Sequence, residues 1–165
     1  MKKKILLMSA VLLSIVGFTQ TDIATARSQG IGASVTITGI VTNGDELGLI
    51  RYVEDATSGL ALYDPSTLVG IVRGDEVTVT GILVDYNGLL EMTPVNSSII
   101  NSTGNSVIPQ LITPIQVGEA TESELIQIDN VIFNNGGSFF TSGTHDFTSN
   151  GETGRVYIKI GSPLE

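Results

Sequence analysis

Residues 35–41 and 77–83 share the pattern V-T-[IV]-T-G-I-[VL], and this repeat constrains the fold more than any other feature of the chain. Its β-branched residues alternate with polar ones, as in a strand with one face buried and one wet. A glycine well inside a strand costs about 0.5–1 kcal/mol relative to alanine. Two of them, Gly39 and Gly81, at the same place in two strands ask for a geometric reason. The sharp coiling of strands that pair on both sides of a small barrel supplies one.

The remaining strand signals fit that reading. A loop carrying Asn43-Gly44-Asp45 leads to a strand over residues 49–54, and the tight turn Asp55-Ala56-Thr57-Ser58-Gly59 returns the chain along 60–63. An irregular stretch, 65–73, joins this strand to the second copy of the repeat. Asn87-Gly88 lies between two β-prone runs, where both residues tolerate the positive φ of a tight hairpin. A fifth strand over 89–92 is expected to end at Pro94. Five strands with one longer connection between the third and fourth predict an all-β chain built on a five-stranded Greek-key barrel. Helical periodicity is confined to a short turn at Asp22 to Arg27.

Together V-T-I-T-G-I-V, I-R-Y-V-E-D-A-T-S-G-L-A-L-Y-D, R-G-D-E-V-T-V-T-G-I-L and D-Y-N-G-L-L-E-M resemble the OB-fold domains of secreted bacterial nucleases and nucleotidases. They resemble still more closely the OB-like modules of large secreted, surface-sorted proteins of the Bacteroidetes. The likeness covers residues 30–95 and contains no catalytic signature. It implies a module that binds single-stranded nucleic acid or oligonucleotides beside a catalytic or adhesive partner domain, any catalytic domain lying outside this sequence. It also divides the chain. A Ser, Asn and Pro-rich connector, 96–114, precedes a partial second OB-like module over 115–165, with strands expected at 125–133 and 154–160 and a loop at 134–142. On this reading the natural protein continues beyond Glu165.

Residues 1–17 have the three parts of a secretory signal: Lys2, Lys3 and Lys4, an apolar run over 5–16, and small or polar residues after it. Cleavage is expected after Thr19, with a second site after Ala26. The first cut takes the 8 basic residues to 5 against 17 acidic, moving the net charge from −9 to −12. Such a surface binds a phosphate backbone poorly and in a salt-sensitive way. The chain has no Cys, which excludes thiol chemistry, disulfides, Cys-containing zinc sites and a Cys-linked lipid anchor. His145, the single histidine, falls in a predicted loop without a second His for a metal site. Asp45, Glu46 and Asp85 match no calcium-loop spacing. The sequence therefore predicts no cofactor and no catalytic residue, in a secreted or cell-surface protein.

An OB barrel binds ligands on the face of strands 2 and 3, between the first hairpin loop and the last. That face nominates Arg51 and Tyr52 on strand 2, Tyr63 on strand 3, Asn43 in the first loop, and Tyr86 and Asn87 in the last. Tyrosines offer faces for base stacking, and Arg51 and Arg73 offer cations. Arg51 and Tyr52 are neighbours on a strand and should face opposite sides. The alternative function is a structural or adhesive β-module that binds glycan or protein.

Overall fold

The computed structural model describes residues 21–134 and 142–161. The signal-like leader, its cleavage site after Thr19 and most of the loop expected at 134–142 lie outside them. Five strands, β1 (Ser34–Val41), β2 (Ile50–Glu54), β3 (Gly59–Tyr63), β4 (Glu76–Tyr86) and β5 (Leu89–Ser102), form a closed barrel in the order β1-β2-β3-β5-β4. All neighbours are antiparallel except β3 and β5, where Ala61 pairs with Glu91 and Leu62 with Met92 in parallel. This is the Greek-key connectivity of an OB-like barrel.

The two copies of the repeat are partners in this barrel. They run antiparallel, with Thr36 opposite Thr80, Thr38 opposite Thr78 and Gly39 opposite Val77. Alternate residues Val35, Ile37, Val77 and Val79 point into a core shared with Val53, Leu60, Leu62, Leu83 and Met92. Just past Gly39 the strand pairs on both sides, Ile40 standing opposite Glu76 of β4 and Glu54 of β2. A Cβ on Gly39 would lie 2.8 Å from the Glu54 carbonyl oxygen, so only glycine lets the strands approach this closely.

The turn expected at 22–27 is a helix, α1 (Ile23–Ser28), capped by Asp22, whose Oδ1 accepts from the Thr25 amide at 2.7 Å. Ile23 and Ala26 are fully buried, so α1 plugs the barrel. Asp55 fastens it, accepting from the Ile23 amide at 2.8 Å through Oδ2.

Downstream, the structure departs from the expected boundaries. β5 does not stop at Met92 but runs on to Ser102, so the first part of the expected connector is strand. Its register against β4 shifts where Gly81 pairs with Val95 and Leu83 with Met92, leaving Thr93 and Pro94 at a bulge. A bulge is where a proline, lacking the N–H, fits a sheet. Beyond it, β6 (Gln110–Leu111) pairs in parallel with β7 (Ile126–Gln127). β8 (Val131–Phe133), β9 (Gly143–Ser149) and β10 (Glu152–Ile158) form a three-stranded antiparallel sheet. The strand expected over 125–133 is thus two, broken where Asn130 takes φ 54°. His145 sits in β9, paired with Val156, rather than in a loop.

Candidate ligand cleft

Alternation along β2 decides what faces the ligand side. Arg51 and Val53 turn inward, while Tyr52 and Glu54 turn outward, as their adjacency predicts. Arg51 is 8% exposed and spends its guanidinium on backbone carbonyls: Nε donates to Ile71 at 2.9 Å, and Nη1 to Gly48 at 2.7 Å and Ile50 at 3.0 Å. It braces the loops at one end of the barrel and is not displayed as a cation for phosphate. Asn43 is likewise buried. Its Oδ1 accepts from the Tyr52 amide at 2.7 Å and its Nδ2 donates to the Ile50 carbonyl at 3.0 Å, pinning the first loop to β2.

Tyr52, Ala61 and Glu91 form a row across β2, β3 and β5. Burial raises the Glu91 carboxyl above the usual range. Burial also raises the Tyr52 phenol, helped by the charges of Glu91 and Glu122. The outer face of the barrel here is therefore partly dry and acidic.

Beside Tyr52 lies a cleft of about 410 Å³, lined by Asn43, Glu46 and Leu47 of the first loop, by Arg73, by Leu89 after the hairpin turn, and by Ser123, Glu124 and Leu125. The volume falls within the range of roughly 300–1,000 Å³ typical of small-ligand sites. Arg73 forms no ion pair among the described residues. Glu46 is held below its ordinary pKa, first by the Gly44 amide, which donates to it at 2.9 Å, and also by nearby Arg51 and Arg73. Glu124 is raised by burial and by the neighbouring charges of Glu54 and Asp55, against a lowering by Arg27. A larger cavity of about 780 Å³ lies elsewhere, among Asp22, Glu54, Asp55 and Glu76, with no Lys or Arg in its lining among the described residues. Its charge opposes any anion, so the smaller cleft is the better candidate. Among the described residues no group of three or more His, Asp or Glu is arranged to hold a metal ion.

No protein-family model matches the chain. It is 34% identical over 96 residues to Endonuclease YhcR of Bacillus subtilis (strain 168), an alignment covering 54% of this chain. The chain spans 8% of that protein's length. Among solved structures it is similar to the hypothetical protein ygiW from E. coli, with a TM-score of 0.41 and 18% identity over 50% of this chain and 89% of the other. A putative aspartyl-tRNA synthetase from Leishmania major Friedlin gives a TM-score of 0.41 and 13% identity, over 62% of this chain and 25% of the other.

Of the residues nominated from the sequence, the cleft brings together Asn43, Tyr52 and Arg73. Tyr63, at the end of β3 and 41% exposed, is not in its lining, and neither is Tyr86, 62% exposed. Asn87 holds φ 56° in the hairpin turn beside Gly88 at φ 92°, a conformational role. The contribution of Ser123, Glu124 and Leu125 has no sequence signature. They are ordinary polar and apolar residues brought onto the barrel by tertiary packing.

Proposed function

We propose that this chain is a non-catalytic OB-type binding module of a secreted, nuclease-type protein. In this reading a short stretch or end of single-stranded nucleic acid sits in the cleft between the first loop and the β4–β5 hairpin. The observation that carries the proposal is the closed β1-β2-β3-β5-β4 barrel in a chain 34% identical over 96 residues to part of an endonuclease. Tyr52 would supply an aromatic surface and Arg73 the cation, a pairing suited to a base and its phosphate. Glu46, Glu91 and Glu124 around them disfavour a long phosphate backbone, so contact is limited to one or two nucleotides. Catalysis is assigned to other parts of such a protein, and export to the leader over residues 1–19.

The test is a titration of fluorescein-labelled dT8 into the chain beginning at Gln20, at low salt. Saturable binding that weakens with added salt is expected. Tyr52→Ala should remove about 1–3 kcal/mol, the usual worth of one stacked base, and Arg73→Ala should flatten the salt dependence. No saturable binding, or binding indifferent to both substitutions, would overturn the assignment.

A second reading is an adhesive module for an uncharged glycan, favoured by the carboxylates of Glu46 and Glu124 in the cleft, which accept hydrogen bonds from sugar hydroxyls. It predicts that neutral oligosaccharides bind where dT8 does not.

A further inference from the structure

Residues 119–125 lie across one end of the outer face of β2, β3 and β5. Three strands are spanned in one pass: Glu122 Oε2 accepts from the Leu90 amide at 3.4 Å, the Ser123 carbonyl packs on Gly59, and the Leu125 amide donates to Glu54 Oε2 at 2.9 Å. A side chain at Gly59 would collide with Ser123, so the barrel surface is shaped to receive this segment. Arg27, at the end of α1, pins it. Nη2 meets Glu119 Oε1 and Glu122 Oε2, both at 2.9 Å, while Nη1 donates to the Gly59 carbonyl at 3.0 Å.

None of residues 119–125 is fully buried, and hydrogen bonds and ion pairs hold the segment in place. It also has costs inside it. Ser123 holds φ 65°, a left-handed conformation unfavourable for a residue with a side chain. Among the described residues its buried Oγ has no hydrogen-bond partner, a state that native structures normally avoid. Glu54, Glu122 and Glu124 gather beneath and within the segment around the Arg27 guanidinium. The segment also belongs to an excursion closed by the β6–β7 pairing, where the Leu125 carbonyl accepts from the Gln110 amide at 2.9 Å and so tethers its carboxy-terminal end while the rest lifts.

We infer that residues 119–125 are a latch, pinned by Arg27, that opens and closes over the β2–β3–β5 face and controls the size of the cleft beside Tyr52. Closed, it narrows that face to the cleft. Open, it relieves Ser123 and separates the crowded carboxylates.

Opening can be read without any ligand, so the result is independent of whether the chain binds nucleic acid. The measurement is amide hydrogen exchange of residues 119–125, with the Leu125 amide as reporter, against Ile37 and Val79 in the barrel core. Arg27→Ala should speed exchange across 119–125 by about tenfold, the scale of losing charged hydrogen bonds, and leave Ile37 and Val79 unchanged. Raising salt to about 1 M, where the Debye length falls to roughly 3 Å, should speed the wild type in the same segment. Ser123→Gly should slow it severalfold by removing the strained conformation and the stranded hydroxyl. Equal exchange in the wild type and Arg27→Ala would overturn the latch. So would latch and core amides accelerating together, or Ser123→Gly exchanging as fast as the wild type or faster.

Discussion

Thr38 Oγ1 lies 2.6 Å from Thr78 Oγ1, and one step along the same ladder Thr36 Oγ1 lies 2.8 Å from Thr80 Oγ1. The threonines of one copy of the repeat thus bond to those of the other across the β1–β4 pair. Their glycines serve a different end, the approach of a third strand. Thr78 also accepts from Asn101 Nδ2 at 2.9 Å, so it keeps a partner when Thr38 is lost. Thr38→Val should therefore cost under about 1 kcal/mol, the range of a cross-strand pair, in a urea unfolding curve.

Gly39→Ala and Gly81→Ala should cost more. The new Cβ at Gly39 meets the Glu54 carbonyl oxygen at 2.8 Å, and at Gly81 it meets the Pro94 carbonyl oxygen and Met92 Cγ at 2.5 Å. Overpacking against backbone costs typically about 1–3 kcal/mol, and the midpoint of unfolding should fall accordingly with an unchanged slope.

Arg51→Ala should behave as a core substitution. It strips donors from the carbonyls of Ile71, Gly48 and Ile50, a loss on the order of 3 kcal/mol when buried acceptors are left bare. Binding of dT8, measured below the unfolding transition, should be retained, which separates this residue from Arg73.

The buried carboxyl of Glu91 gives a pH signature. Its folded pKa is raised above 4.5, so the folded chain binds a proton that the unfolded chain releases between 4.5 and the raised value. Its contribution is fully present below 4.5 and is lost as pH rises through the folded pKa. Glu91→Gln removes that loss. It should raise the melting temperature near pH 7 and have little effect near pH 4, in paired thermal melts.

Export offers a further check. Cleavage after Thr19 keeps Ile23 and Ala26, both fully buried in the barrel core, whereas cleavage after Ala26 discards them. Amino-terminal sequencing of the exported chain should begin at Gln20. Ile23→Ala should cost about 2–5 kcal/mol, as large-to-small core changes do.

The barrel could be read from the sequence because its signals are local: β-branched alternation in β1 and β4, Asn87-Gly88 in the hairpin, and a turn-forming Asp55 whose carboxylate accepts from the Thr57 and Ser58 amides. β5 was harder. Pro94 reads as a strand end, and only the bulge opposite Ile82 lets the ladder resume through polar Ser97 and Ser98. The cleft was legible in part, at Tyr52, Asn43 and Arg73. Arg51 misled because alternation says that neighbours diverge but not which of them points inward. Ser123 to Leu125 reach the site next to Glu119 and Glu122, which pair with Arg27, contacts no local pattern encodes.

Closure of the barrel also divides the chain by its capacity for self-association. All five barrel strands have hydrogen-bonded neighbours on both sides. Among the described residues β8 and β10 each pair on one side only, and Ile132 and Tyr157 stand exposed on them. Unpaired margins of this kind template the addition of further strands. At high concentration, polymerisation should therefore start from the carboxy-terminal sheet, with the barrel carried along as an inert passenger.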